Sequence, residues 1–164
     1  MKTGFVGIIG RPNVGKSTLL NQILGEKIAI VANKPQTTRN AIRGIYTKQA
    51  EGDDDGCQIV FIDTPGIHKP RTKLGSYMTG MAINTFGEVD TILMLTDEPL
   101  SEAGGDKYIV ELLKEVETPK LLLINKIDII EPEKYRRIYE EYTELGIFDA
   151  IYGISAKDGK NVHD

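Results

Sequence analysis

GRPNVGKS, Gly10 to Ser17, decides the fold. An apolar run, Phe5 to Ile9, leads into it, and a stretch with the make-up of a helix, Ser17 to Leu24, leads out. Strand, glycine-bearing loop and helix in that order, with the spacing G-x-x-x-x-G-K-S intact, are the parts of a phosphate-binding P-loop. Gly10 and Gly15 permit backbone conformations in which successive N–H groups turn inward, and the following helix aims its positive N-terminal end at the same point. Phosphate oxygens are then held mostly by main chain. The nucleotide-binding segment is expected to run through Gly10, Arg11, Pro12, Asn13, Val14, Gly15, Lys16, Ser17 and Thr18. Lys16 is expected to reach the β- and γ-phosphates, and Ser17 to ligate magnesium. The loop by itself does not choose the nucleotide.

LLLINKID, Leu121 to Asp128, makes that choice. It reads as an apolar strand of the kind buried on both sheet faces, ending in Asn125, Lys126 and Asp128. A carboxylate placed there accepts from guanine N1–H and from the exocyclic amine, two donors that adenine does not present. Asp128 is therefore expected to set guanine specificity. Asn125 is expected to hold the site together through backbone and purine contacts, with the stem of Lys126 along the base plane. Further on, Ile151 to Ile154 runs into Ser155, Ala156 and Lys157, whose backbone N–H groups are expected to meet the guanine O6. Each short match is weak alone. In this order, each after an apolar strand, they turn a nucleotide site into a guanine site.

Between the two lies IVFIDTPG, Ile59 to Gly66. An apolar strand delivering an Asp at its carboxyl end is where open α/β sheets place ligand chemistry. Asp63 is expected to hold magnesium through a water, and Gly66, having no side chain, to bring its N–H close to the γ-phosphate. Thr64 and Pro65 complete this stretch of the nucleotide site. Upstream, KPQTTRN, Lys34 to Asn40, has the composition of a switch loop that orders around its ligand. Thr38 is the expected second hydroxyl on magnesium, with Thr37 as the alternative.

GRPNVGKST, PQTTRN, DTPGIHKP (Asp63 to Pro70), NKID and ISAKDGKNV (Ile154 to Val162) together resemble the translation-factor-related GTPases, over nearly the whole chain. The most specific element is the extension Ile67-His68-Lys69-Pro70, which resembles that of one group of bacterial ribosome-assembly GTPases and sets it apart from the relatives Der and MnmE. The resemblance implies cycling between GTP and GDP with Mg2+, and the small ribosomal subunit and its rRNA as partners. It also implies a C-terminal KH domain of the GXXG type, which this sequence, ending at Asp164, does not contain. Residues 1–164 are accordingly expected to be one GTP-binding domain that stops near the start of its final helix, with RNA-sequence reading carried elsewhere.

Composition agrees with one domain. The 164 residues are 40% hydrophobic, enough for a single packed core. A net charge of -4 argues against a free-standing nucleic-acid binder, because backbone affinity comes from clustered Lys and Arg. Arg39, Arg43, Lys69, Arg71 and Lys73 nevertheless fall in or beside the two expected switch loops, where a local basic face would form. The single cysteine, Cys57, has no partner for an internal disulfide and reads as a small apolar residue opening a strand. No apolar run approaches the roughly 20 residues that span a bilayer, and no signal peptide is evident. A cytoplasmic protein is expected, with any membrane contact peripheral.

Apolar runs alternate with helical patterns along the chain. Strands are expected at 4–10, 41–49, 57–63, 90–96, 119–125 and 150–154, and helices near 15–25, 72–86, 103–116 and 132–145. EGDDDG, Glu51 to Gly56, is a hairpin signal, so 41–49 and 57–63 should run antiparallel while the rest are parallel. The expected architecture is an α/β P-loop GTPase fold: a six-stranded, mostly parallel sheet with one antiparallel strand and helices on both faces. Ser101 is the expected cap of the third helix, and Tyr108, Ile109, Leu112, Leu113 and Val116 its inward face.

Many small GTPases place a water-orienting Gln directly after DxxG, and here that residue is Ile67. An alkyl chain neither accepts a proton nor orients a water. His68 is the nearest imidazole, one position late in a loop. Phosphoryl transfer needs positioning and charge neutralisation more than covalent chemistry, so the expected catalytic set is Lys16, Thr38, Gly66 and Asn13. Asn13 enters by resemblance: in the related MnmE group an Asn at this place helps bind K+, which replaces an arginine finger. Two other readings stand beside a GTP-hydrolysing switch. One is a nucleotide-gated binding module with negligible turnover, and the other a P-loop ATPase or kinase, against which Asp128 is the main argument.

Overall fold

Ile8 and Ile9 are neighbours on one strand and each is only 1% exposed, which demands cover on both faces of a sheet. The computed structural model, which describes residues 2–25, 41–52, 55–63 and 83–164, supplies that cover. In chain order the elements are β1 (Lys2–Gly10), α1 (Lys16–Leu24), β2 (Ala41–Lys48), β3 (Cys57–Asp63) and α2 (residues 83–88). They continue with β4 (Thr91–Thr96), α3 (Gly104–Lys114), β5 (Lys120–Ile124), α4 (Pro132–Glu144) and β6 (Ala150–Gly153). The six strands form one sheet in the order β2-β3-β1-β4-β5-β6. β2 and β3 pair antiparallel, and every other neighbouring pair is parallel. The α/β architecture is therefore the one the sequence pattern predicts.

The two faces are separate cores. Ile8, Phe61, Leu95 and Ile154 pack with Leu19, Leu20 and Leu24 of α1. Ile9, Ile62, Met94 and Ile124 pack with Phe86 of α2, with Ile109, Val110 and Leu113 of α3, and with Ile138 and Tyr142 of α4. Adjacent residues of one strand thus serve opposite faces, as the period of two requires. Fully burying one such side chain is worth about 1.5–3 kcal/mol, so each face is held by many small increments.

The hairpin expected at Glu51 to Gly56 joins β2 to β3, whose register pairs Lys48 with Cys57. Asp53 and Asp54 within it lie outside the described residues, as does the helix expected at 72–86 apart from its last residues, which are helical. Ser101 does not cap α3. The helix begins at Gly104 with Ala103 at the N-cap and no side-chain cap bond. Ser101 instead donates its N–H and Oγ–H to the two carboxylate oxygens of Glu141 on α4, each at 2.8 Å. Ser101 lies in the turn closed by the Glu102 and Ala103 N–H groups on the Pro99 carbonyl, two residues before the N-cap position from which a side-chain oxygen accepts from the first helical turn. The inward face of α3 also differs from expectation. Asp106, Ile109, Val110 and Leu113 are buried at the helical spacing, while Tyr108 and Leu112 are half-buried.

What the topology does for function is to set the carboxyl ends of β3, β1, β4, β5 and β6 side by side. Leaving β1, the chain goes to one side to form β2 and β3, then returns to the other to form β4, β5 and β6. That reversal opens a crevice beyond the end of β1, where open α/β sheets bind ligands. The phosphate loop lies there.

Candidate functional site

Between the end of β1 and the start of α1, residues 11–15 make a tight return. A side chain at Gly10 would lie 2.8 Å from Val14 Cγ1 and 3.0 Å from the Leu95 carbonyl oxygen, so only a glycine fits. Gly15 is the N-cap of α1 with φ 110°, a left-handed conformation, and a Cβ there would come within 2.1 Å of Asn125 Nδ2. Asn13 is also left-handed, at φ 63°. Lys16 arches back over the loop and donates from Nζ to the Gly10 carbonyl at 2.6 Å. Gly15 at the N-cap has no side chain with which to cap α1, and the first turn of the helix carries no acidic residue. The positive end of the helix dipole is thus left for an external anion. Arg11 and the buried Val14 support the loop from below, while Pro12, Ser17 and Thr18 are exposed on it.

Asn125, 3% exposed, ties three segments together. Its Nδ2 donates to the Val14 carbonyl at 2.9 Å, its Oδ1 accepts from the Ala156 N–H at 2.9 Å, and its own N–H donates to the Thr96 carbonyl at 2.8 Å. Lys126, at φ 67°, sends Nζ to the Asn13 carbonyl at 3.1 Å and to Asp97 Oδ2 at 2.6 Å. Asp128 Oδ1 accepts from Ser155 Oγ–H at 2.8 Å, and Ser155 Oγ in turn accepts from the Asp158 N–H at 3.2 Å. The three backbone donors expected to face the guanine O6 are not equivalent. Ser155 N–H donates to the Lys160 carbonyl at 3.1 Å and Ala156 N–H to Asn125, which leaves Lys157 N–H for a ligand.

These segments enclose a cavity of about 330 Å³ lined by Asn13, Gly15, Thr18, Asn125, Lys126, Asp128, Ile129 and Lys157. Phosphate-loop residues and residues from the ends of β5 and β6 thus share one wall. Asp63 ends β3, paired with Ile8 two residues before Gly10. Thr37, Thr38, Thr64, Pro65, Gly66, Ile67 and His68 lie outside the described residues, so their expected roles at the γ-phosphate and magnesium have no structural counterpart among them.

A polar network that sequence reasoning missed lies behind the loop. Arg11 Nη2 donates to Asp97 Oδ1 at 2.6 Å and Arg11 Nε to Asp106 Oδ1 at 2.8 Å. Asp106 is fully buried, and its Oδ2 accepts from Thr96 Oγ1 at 2.7 Å and from the Tyr142 hydroxyl at 2.8 Å. Burial opposes the charge on Arg11, but Asp106 and Asp97 outweigh it and raise the guanidinium pKa. Burial, and then the neighbouring Asp106 charge, push the Tyr142 hydroxyl well above its ordinary range. Two signals in the sequence mark these residues. Asp97 follows the strand TILMLT as Asp63 follows IVFI, and Asp106 is a carboxylate within the apolar stripe of a helix.

A phosphate cradle beside a carboxylate-tipped strand on this sheet defines a P-loop nucleotide-binding domain. The chain belongs to the family of 50S ribosome-binding GTPases, whose family model matches residues 5–126. It is 53% identical over 161 residues to GTPase Era of Alkaliphilus oremlandii (strain OhILAs), covering 98% of this chain and 52% of that protein. It is 52% identical, with the same coverage, to GTPase Era of Alkaliphilus metalliredigens (strain QYMF). The chain therefore spans about half the length of these curated relatives, 52%. Among solved structures it is similar to Era in complex with MgGDPNP and nucleotides 1506–1542 of 16S ribosomal RNA. That match has a TM-score of 0.72 and 37% identity over 99% of this chain and 54% of that one. A single-substitution variant of Aquifex aeolicus Era bound to GDP.AlF4- matches with a TM-score of 0.70 and 35% identity, over 99% of this chain and 54% of that one.

Proposed function

We propose that this chain is the GTP-binding domain of a GTP-hydrolysing molecular switch that acts on the small ribosomal subunit through its 16S-type rRNA, the RNA held by the Era of the solved complex. The observation that carries the reading is the cavity in which Gly15 and Thr18 of the phosphate loop face Asn125, Lys126, Asp128 and Lys157. A nucleotide laid across it has phosphates at the N-terminus of α1 and a base beside Asp128. The Asp128 carboxylate accepts two hydrogen bonds from guanine, and Ser155 fixes its orientation.

The donor set suits magnesium, which takes oxygen ligands and prefers one or two protein oxygens alongside phosphates. Ser17 at the start of α1, Asp63 at the end of β3 and Thr38 are the residues that would hold it. Bound there, the ion would neutralise charge building on the phosphate oxygens. Lys16 exchanges the Gly10 carbonyl for phosphate, and Gly66 N–H meets the γ-phosphate. Asn13 would help hold K+, which would supply there the charge that an arginine finger provides elsewhere. The domain extends over residues 1–164 and works in the cytoplasm, any membrane contact being peripheral. No helix among the described residues is long and apolar enough to cross a bilayer.

Calorimetric titration with GDP and ADP tests the central claim. GDP is expected to bind at least a hundredfold more tightly, the discrimination given by a site whose polar groups are built for one base. Equal affinities would replace a guanine switch with a general P-loop NTPase.

A further inference from the structure

Asp97 stands at the carboxyl end of β4, the strand between β1, which carries the phosphate loop, and β5, which carries the base-reading residues. Its two carboxylate oxygens are divided between those neighbours. Oδ1 takes Arg11 Nη2 of the phosphate loop at 2.6 Å, and Oδ2 takes Lys126 Nζ at 2.6 Å. The Asp97 side chain is 15% exposed, against 24% for Arg11 and 36% for Lys126, so the shared acceptor is the best shielded of the three. Arg11 is fixed from its other side by the fully buried Asp106, and Lys126 by the Asn13 carbonyl at 3.1 Å. The Asp97 carboxylate is thus the joint between two anchored cations. One belongs to the end of the site that holds phosphates and the other to the end that holds the base.

We infer that Asp97 is a positioning residue for nucleotide binding, which sets the spacing between the phosphate loop and the base-reading loop by holding Arg11 and Lys126 at once. It touches no nucleotide atom itself. The inference rests on the nucleotide site proposed above and adds to it a charged lock between the two halves, beside the bonds of Asn125 to Val14 and of Lys126 to Asn13. A static surface ion pair contributes little. Here both partners lie within loops that a ligand must find already in register, so the loss of the joint appears as faster ligand escape. Binding that must first reorganise its site costs affinity, and residence time carries most of such a change.

The test compares the parent chain with Asp97→Asn and Asp97→Glu, using release of a fluorescent GDP. Asn keeps the shape of Asp and loses the charge, whereas Glu keeps the charge and is longer by one methylene. If the joint is the charge, Asp97→Asn releases GDP about tenfold faster, as expected for loss of charge-assisted hydrogen bonds. Asp97→Glu then lies closer to the parent than Asp97→Asn does. If Asp97 serves packing alone, the order reverses, with Asn close to the parent and Glu worse, and the inference is overturned. Release from Asp97→Asn at the parental rate overturns it as well. Should Asp97→Asn fail to fold, Arg11→Lys carries the same test, since an ammonium does not bridge Asp97 and Asp106 as the guanidinium fork does. Tenfold faster release in that variant supports the inference, and a parental rate ends it. Failure of the parent to bind GDP at all would instead overturn the proposed function, so the two failures are distinct.

Discussion

Asp128 has one oxygen occupied by Ser155 Oγ–H at 2.8 Å, and that bond survives replacement by an amide, whose carbonyl also accepts. Asp128→Asn is therefore expected to fold as the parent does and to change only what the base meets. GTP binding should weaken by about 2–4 kcal/mol, the loss of charge-assisted hydrogen bonds to the base, while xanthosine triphosphate binding improves because xanthine offers a carbonyl where guanine has its amine. Competition binding with the two nucleotides reads both changes, and unchanged GTP affinity would take Asp128 out of the site. Gly15 is a sharper case. Alanine there meets φ 110° and a Cβ position 2.1 Å from Asn125 Nδ2, so Asn125 has to leave the Val14 carbonyl. Backbone strain and a buried donor without an acceptor together are expected to cost about 2–5 kcal/mol of stability, measured by urea denaturation. Nucleotide affinity should fall with it. At this scale the motif residues were legible because their spacing is local: Gly10 to Thr18 is one loop, and Asn125 to Asp128 another. Asp97 and Asp106 carry local marks, a carboxylate at a strand end and one in an apolar helix stripe, but their shared partner Arg11 lies 86 and 95 residues away, and neither mark says which cation it meets.

The strands are where sequence and structure agree most closely, since β4 and β5 lie inside the sheet between parallel neighbours with cover on both faces, which leaves a continuous apolar run in the sequence. Helix ends were harder to read. Ser101 has the chemistry of a cap but is claimed by Glu141, forty residues on and in a different helix. Burial alone would raise the Glu141 pKa, but its bonds from Ser101 and the nearby Arg137 lower it. α4 is joined to the phosphate loop by one contact chain, from Tyr142 through Asp106 to Arg11. Tyr142 is fully buried with its hydroxyl on Asp106, and its pKa in the folded chain lies above the ordinary 10.0. Below that ordinary value the hydroxyl is neutral in both folded and unfolded chains, and its contribution to stability is complete. As pH rises past it, the unfolded chain loses the proton first, so the folded state loses up to about 1.4 kcal/mol per pH unit from this group. Tyr142→Phe is expected to lower stability at neutral pH by about 1–2 kcal/mol, one buried hydrogen bond, and to flatten the alkaline decline relative to the parent. Denaturation curves collected on both sides of pH 10 test this. Equal slopes in parent and variant would show that Tyr142 does not carry the shift.

At the scale of the whole molecule, the sheet order puts β1 at the point where the chain reverses direction across the sheet, so the phosphate loop lies at the crevice beyond the strand ends, anchored by Val14 in the core on the α1 side. The fold class, the strand count and the antiparallel hairpin all followed from alternating apolar runs and one turn signal. The catalytic apparatus did not, because a rate depends on groups brought to the γ-phosphate by loops and ions rather than on any periodic pattern. With Ile67 where many small GTPases carry Gln, basal hydrolysis is expected to be slow, and a cation supplied to the transition state is worth roughly a thousandfold or more in this reaction class. Asn13, left-handed at φ 63° with its carbonyl held by Lys126, lines the nucleotide cavity and is the residue proposed to help hold K+. Hydrolysis at saturating GTP should then rise when Na+ is exchanged for K+ at constant ionic strength, and Asn13→Ala should remove most of that ratio. Taking the ratio of rates at saturation cancels any change in nucleotide affinity. His68→Ala should slow turnover only slightly in either salt. A large loss in His68→Ala, with equal rates in Na+ and K+, would transfer the catalytic role from the cation to the imidazole.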